Sequence, residues 1–152
     1  MKTLDFKKLS LREINKTLQD SDNNSSFSVK NPKGSHALAV GINKKIDVKV
    51  VGSVGYYCAG MNKKSSIKIE GSAGPGLGEN MMSGNIYVTG DVSQYAGASG
   101  HGGNILVEGN ASSRCGISMK GLDIIVKGNV GHMSAFMAQK GNLIILGNAG
   151  HA

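Results

Sequence analysis

The side chains that could do chemistry in this sequence of 152 residues are few: two cysteines, four histidines, and Arg114, the one arginine in its glycine-rich part. Cys58 stands six residues after Gly52 and Cys115 six after Gly109, three steps along a 19-residue recurrence. If each step is one strand spacing, the two sulfurs are held roughly 14 Å apart, which no disulfide spans. With no CxxC spacing and no histidine cluster beside them, they read as buried turn thiols and not as zinc or iron–sulfur ligands. His132 and His151 each stand four residues after a recurring glycine, in successive steps. Stacked imidazoles either hold a metal or form a side-chain ladder, and without a third ligand the ladder is favoured. His36 and His101 have no evident partner acid and read as local hydrogen-bonding groups.

Arg114 lies beside Cys115 on a turn and is the candidate for a charged contact to a partner or a bound carboxylate. The loops SAGPGLG (72–78) and GASGHGG (97–103) superficially resemble phosphate cradles. Neither carries the Lys-Ser/Thr of a P-loop or opens a helix. There is no Ser-His-Asp grouping and no catalytic carboxylate pair. Glu79, Asp91, Glu108 and Asp123 fall at different turn and strand positions. The chain is therefore expected to hold no catalytic residue, cofactor site or metal site of its own.

A formal charge of +7 raises the question of nucleic acid, but the excess is confined to one half. Residues 1–70 carry 13 Lys+Arg against 6 Asp+Glu, and residues 71–152 carry 4 against 4. The lysine pairs Lys7-Lys8, Lys44-Lys45 and Lys63-Lys64 have no interleaved aromatics, which argues for a solvated or partner-facing surface and against a nucleic-acid groove. No apolar run has signal-peptide length or approaches the roughly 18 residues of a membrane span. A cytoplasmic protein without membrane contact is expected.

The elements that must position these residues follow from the period. Aliphatic runs end at Gly52, Gly71, Gly90, Gly109, Gly128 and Gly147, each 19 residues after the last. Four residues before these anchors stand Val48, Ile67, Ile86, Ile105, Ile124 and Leu143; two before stand Val50, Ile69, Val88, Val107, Val126 and Ile145. Two unbroken aliphatic columns at strand spacing point inward. Two residues after the anchors the column alternates Val54, Ala73, Val92, Ala111, Val130, Ala149, a large-and-small pattern that fills a narrow interior. Seven after, Ala59, Gly78, Gly97, Gly116 and Ala135 imply a tight corner. Between the inward columns, Lys49, Lys68 and Tyr87 give way to Leu106, Ile125 and Ile144, so the outer face starts wet and becomes apolar. The reading is an all-β, right-handed parallel β-helix of about six 19-residue coils over residues 46–152, stabilised by stacking.

Residues 1–45 read differently, as a short helical arm and a lead-in segment. Ser10 and Glu13 form a capping box, with Leu9 and Ile14 at the staple positions of a helix running to about residue 20. DSDNNSS (20–26) is a polar loop. A turn at Asn31–Gly34 then precedes an extended apolar stretch, Ala37–Ile42, leading into the first coil.

Hexapeptide acyltransferases need six-residue subrepeats, calcium-binding solenoids a Gly-Gly-x-Gly-x-Asp nonapeptide, and ice-binding faces a threonine ladder; none is present. Gly52-Ser-Val-Gly55, Gly71-Ser-Ala-Gly74, Gly128-Asn-Val-Gly131 and Gly147-Asn-Ala-Gly150 resemble the signature of the GXGXG repeat family. That domain ends the large subunit of glutamate synthase and recurs in one of the subunits of formylmethanofuran dehydrogenase. Within the family, NPKGSHALAVG (31–41), VGYYCAGMN (54–62), GENMMSG (78–84), GASGHGG (97–103), RCGISMKG (114–121) and VGHMSAFMAQ (130–139) are similar to the free-standing glutamate-synthase-domain-3 proteins of N-methylglutamate synthases. The resemblance implies a non-catalytic subunit of a three-component enzyme. One partner would be a class II glutamine amidotransferase-like subunit. The other would be a glutamate-synthase-like subunit with FMN and iron–sulfur clusters, and together they would make N-methylglutamate from glutamate and methylamine. Equivalent subunits of glutamate synthase or formylmethanofuran dehydrogenase are the runner-up, and an independent solenoid protein-binding module is a third reading. Family members usually continue for further coils, so the expectation at His151-Ala152 is either a truncation or an edge covered by a partner.

Overall fold

Successive coils of the chain lay their strands side by side in register, all running the same way. The computed structural model describes residues 1–150. One parallel sheet contains β1 (Lys2–Asp5), β2 (Ser26–Lys30), β3 (Asp47–Val51), β4 (Ser66–Glu70), β5 (Asn85–Val88), β6 (Asn104–Val107), β7 (Lys120–Val126) and β8 (Lys140–Ile145), in that order. From β3 to β8 like residues pair with like: Val48 with Ile67, Ile67 with Ile86, Ile86 with Ile105, and Ile105 with Ile124. The two expected inward columns are buried through the first five coils, and the alternating Val/Ala column is buried with them. Isolated bridges link Val54, Ala73, Val92 and Ala111 in succession. The architecture is a parallel β-helix, as the period predicts. Branched aliphatics suit it because each strand's inner side chains pack on the same residue types one rung away.

The helix α1 spans Leu11–Gln19, with the capping box of Ser10 and Glu13 in place and Ile14 and Leu18 fully buried. Two features of the first 45 residues differ from the reading. The sheet begins at Lys2, because β1 and β2 pair in parallel with each other and β2 with β3. These strands escape the period because they are 21 residues or more from their neighbours, with α1 inserted between the first two. The Ala37–Ile42 stretch is not extended: Ala37, Ala39 and Gly41 have φ of 54°, 59° and 62° and form the corner of a coil. Helix α1 closes the edge of that corner. The Asn15 amide donates to the Ala37 carbonyl and its oxygen accepts from the Ala39 amide, at 2.9 and 2.7 Å, while Gln19 donates to the Val40 carbonyl at 2.8 Å. Side chains there replace the backbone partners that a preceding coil would supply.

The corners of later coils repeat the same dihedrals. Seven residues after each anchor, Ala59, Gly78, Gly97, Gly116 and Ala135 have φ between 59° and 70°. Two residues to either side the backbone is again left-handed, at Tyr57, Gly76, Tyr95, Arg114 and Met133, and at Met61, Asn80, Ser99, Ser118 and Met137. A side chain in this region costs about 1–2 kcal/mol, so the arrangement persists only because something compensates. The compensation is a second hydrogen-bonded ladder: Ala59, Gly78, Gly97 and Gly116 donate to the coil before, while Tyr57, Tyr95, Arg114, Met61, Asn80 and Ser118 donate to the coil after. The anchor glycines have a different reason to be glycine. A Cβ on Gly90 or Gly109 would lie 2.7 Å from the carbonyl oxygen of the anchor one coil earlier, so the stacking itself excludes any side chain.

Candidate functional site

The outer face of the sheet is where charged and aromatic side chains meet. At its N-terminal end Lys49 and Lys68 both reach Glu70, at 3.1 and 4.0 Å. Lys68 also lies over the Tyr87 ring, 5.8 Å from its centroid. Farther along, the Tyr87 hydroxyl donates to Glu108 at 2.8 Å, and Lys127 pairs with the same carboxylate at 2.9 Å. Hydrogen bonds from Lys127 and then Tyr87 hold Glu108 below the usual carboxylate range. The bond to Glu108 raises Tyr87, and the bond and charge of Glu108 raise Lys127. All three pKa values move away from pH 7, so Glu108 and Lys127 stay an ion pair, Tyr87 stays a neutral phenol bonded to it, and none is a good general acid or base at pH 7. Two hollows flank Tyr87. One, of about 200 Å³, is bordered by Lys49, Ser66, Lys68 and Asn85; the other, of about 370 Å³, by Asn104, Leu106, Asp123 and Ile125. The face passes from charged to apolar as expected, with Ile125 and Ile144 exposed.

Two columns of polar side chains are committed to neighbouring coils. One residue after each anchor, Ser53 accepts from the Ser72 amide, Ser72 from Asp91, Asp91 from Asn110, Asn110 from Asn129, and Asn129 from Asn148, at 2.7–3.1 Å. One residue before the first inward column Asn104 donates to Asn85 and Asn142 to Asp123. The buried Asn62 and Ser65 satisfy each other. Every buried side-chain nitrogen or oxygen among the described residues has a partner. The first of these ladders is legible once the coils are aligned on their glycines, because its column holds only Ser, Asp and Asn; the sequence reading did not single it out.

The candidate residues lie apart from one another. Cys58 and Cys115 are free and buried, and burial pushes both thiols up to about 12. His36 accepts the Tyr56 amide through Nδ1 at 2.9 Å, with the two rings 4.7 Å apart, so it is a local hydrogen-bonding group. His132 is exposed and its carbonyl accepts the Arg114 amide; His151, its expected stacking partner, lies outside the described residues. No three His, Cys, Asp or Glu side chains among the described residues come close enough to hold a metal ion. Arg114 is exposed at a left-handed corner position and joins none of the ion pairs of the described residues. The glycine loops 72–78 and 97–103 form corners and precede no helix. No helix among the described residues is long and apolar enough to cross a membrane.

Comparison with known proteins adds a partial relation. A stretch of 62 residues, 39% of this chain, is 57% identical to Protein GlxC of Rhizobium meliloti (strain 1021). The stretch spans 27% of that protein's length. No protein-family profile matches the chain, and no solved structure does.

Proposed function

We propose that this chain is a non-catalytic structural subunit of a glutamate-synthase-type complex, the most specific form of the reading being N-methylglutamate synthase. The observation that carries the scaffold part is the commitment of its polar side chains. One column of Ser, Asp and Asn is bound to the next coil's backbone and a second column of Asn and Asp to its own kind on the neighbouring coil, and among the described residues no nucleophile is bonded to a base. The GXGXG signatures on these turns and the identity with GlxC support the glutamate-synthase relation. The longer strings such as VGHMSAFMAQ (130–139) support the narrower assignment. On this reading an amidotransferase-like subunit and an FMN and iron–sulfur subunit supply the chemistry, and the β-helix holds them in place.

Co-expression with an amidotransferase-like and an FMN-domain protein from the same organism tests this directly. A stable complex that makes N-methylglutamate from glutamate and methylamine only when all three chains are present is the expected outcome. Turnover by this chain alone would overturn the scaffold reading. A complex that assembles but uses ammonia and 2-oxoglutarate would shift the assignment to glutamate synthase.

A further inference from the structure

Lysines of the coils from Lys44 onward fall into two groups that the fold treats differently. On the sheet face, Lys49, Lys68 and Lys127 are each paired with Glu70 or Glu108. On the edge where each coil turns into its strand, Lys44 and Lys45 stand on one coil and Lys63 and Lys64 on the next. The pairing of Asp47 with Ser66 two residues downstream puts Lys45 and Lys64 in register. Three coils farther along the same edge, Lys120 is paired directly with Lys140. None of these six takes part in an ion pair within 4.0 Å among the described residues, though Asp47 lies only two residues from Lys45. Like charges directly opposite each other on neighbouring strands repel. Here the repulsion is left without an internal counter-charge. Between the two lysine clusters the same edge carries the exposed Met82 and His101 beside the small Ser83 and Gly102, and a hollow of about 350 Å³ opens, bordered by Lys45, Lys64, Ser83, Gly84 and Gly103.

We propose that this lysine edge is a docking surface for an acidic helical segment of a protein partner. Five rung steps separate Lys45 from Lys140, about 24 Å at strand spacing. A helix of roughly 16 residues has that length. Glutamates three and four apart on one helix face recur about every 5–6 Å, close to the rung repeat and within reach of flexible lysine stems. The hollow beside Ser83 gives the centre of such a helix room to seat a carboxylate. The edge has no arginine to grip phosphates in bidentate fashion, and one imidazole, His101, in place of the row of Phe, Tyr or Trp rings on which successive bases stack. It also lacks the apolar stripe that an interfacial membrane surface requires. The inference rests on the edge alone and does not depend on which enzyme the chain serves.

The test uses the whole chain and a fluorescein-labelled 16-residue helical peptide with glutamates at i, i+3 and i+4 spacing, read by anisotropy at about 50 mM salt, where the screening length still exceeds the rung spacing. Binding is expected to weaken steadily with added salt. The Lys45→Gln/Lys64→Gln variant should bind at least about tenfold more weakly, and Lys45→Arg/Lys64→Arg should retain binding. Lys49→Gln/Lys68→Gln, on the sheet face, should change binding less than about twofold, because those ammonium groups already have a partner. Matching thermal unfolding curves would show that the variants fold alike. Absence of peptide binding would overturn the proposal. So would equal losses in the edge and face variants, because net charge alone would then explain the binding. Tighter binding of duplex DNA or anionic vesicles than of the peptide would assign the edge to a different kind of partner.

Discussion

Replacing Ile105 by aspartate places a carboxyl group in the middle of the inner column. Ile105 is 1% exposed, between Ile86 on one rung and Ile124 on the next, and every neighbour in that column is aliphatic. Losing the buried isoleucine costs about 1.5–3 kcal/mol. The carboxyl group adds a second cost, because no donor in the column can solvate its charge and it stays protonated in the folded state. Holding a group of unfolded pKa near 3.9 protonated at pH 7 costs about 4 kcal/mol. Together the two come to roughly 6–7 kcal/mol, much of the total stability of an ordinary domain. The sign of the pH dependence follows. The folded pKa is raised, so the second penalty is absent below about pH 4 and grows as the pH rises above the unfolded value. Urea unfolding of wild type and variant, followed by circular dichroism at pH 7 and at pH 4, separates the terms. A variant that unfolds like wild type at pH 7, or whose deficit is the same at both pH values, would refute the inward placement of this column.

Asn15→Ala removes two hydrogen bonds to the first corner and leaves the Ala37 carbonyl and the Ala39 amide without partners; a loss of about 1–3 kcal/mol is expected in urea unfolding, and hydrogen exchange at Ala39 should speed up with it. The thiols of Cys58 and Cys115 should not react with Ellman's reagent in the folded protein at pH 8, because burial keeps them protonated, and both should react once urea unfolds the chain; prompt labelling of native protein would contradict their placement. Glu108 should titrate below the ordinary glutamate value in a carbon-13 NMR experiment and move up in Lys127→Ala. Because its folded pKa is depressed, what it contributes is present above the unfolded value and fades as the pH falls through the folded one; an unchanged titration in the variant would show that the ion pair does not persist in solution.

The period alone was enough for the β-helix, and with it for the inner columns from Val48 to Ile145 and the small corner residues from Ala59 to Ala135. Each of those positions is decided by a local condition, an aliphatic side chain facing inward or a corner with no room for one, and the condition repeats whenever a coil does. The capping box at Ser10 and Glu13 was legible for the same reason, since a helix N-terminus is satisfied within four residues. Other features needed the folded chain. Strands β1 and β2 join the sheet although α1 breaks the spacing, because strand pairing asks only that edges meet and not that the linking segments be equal. The left-handed dihedrals at Tyr57, Tyr95 and Arg114 leave no mark in residue type, because it is the hydrogen bonds between coils that hold them. The separation of the lysines into neutralised and unneutralised sets was equally invisible in a count of charges. It depends on which carboxylates the stacked coils bring within reach, and only the tertiary structure sets those distances.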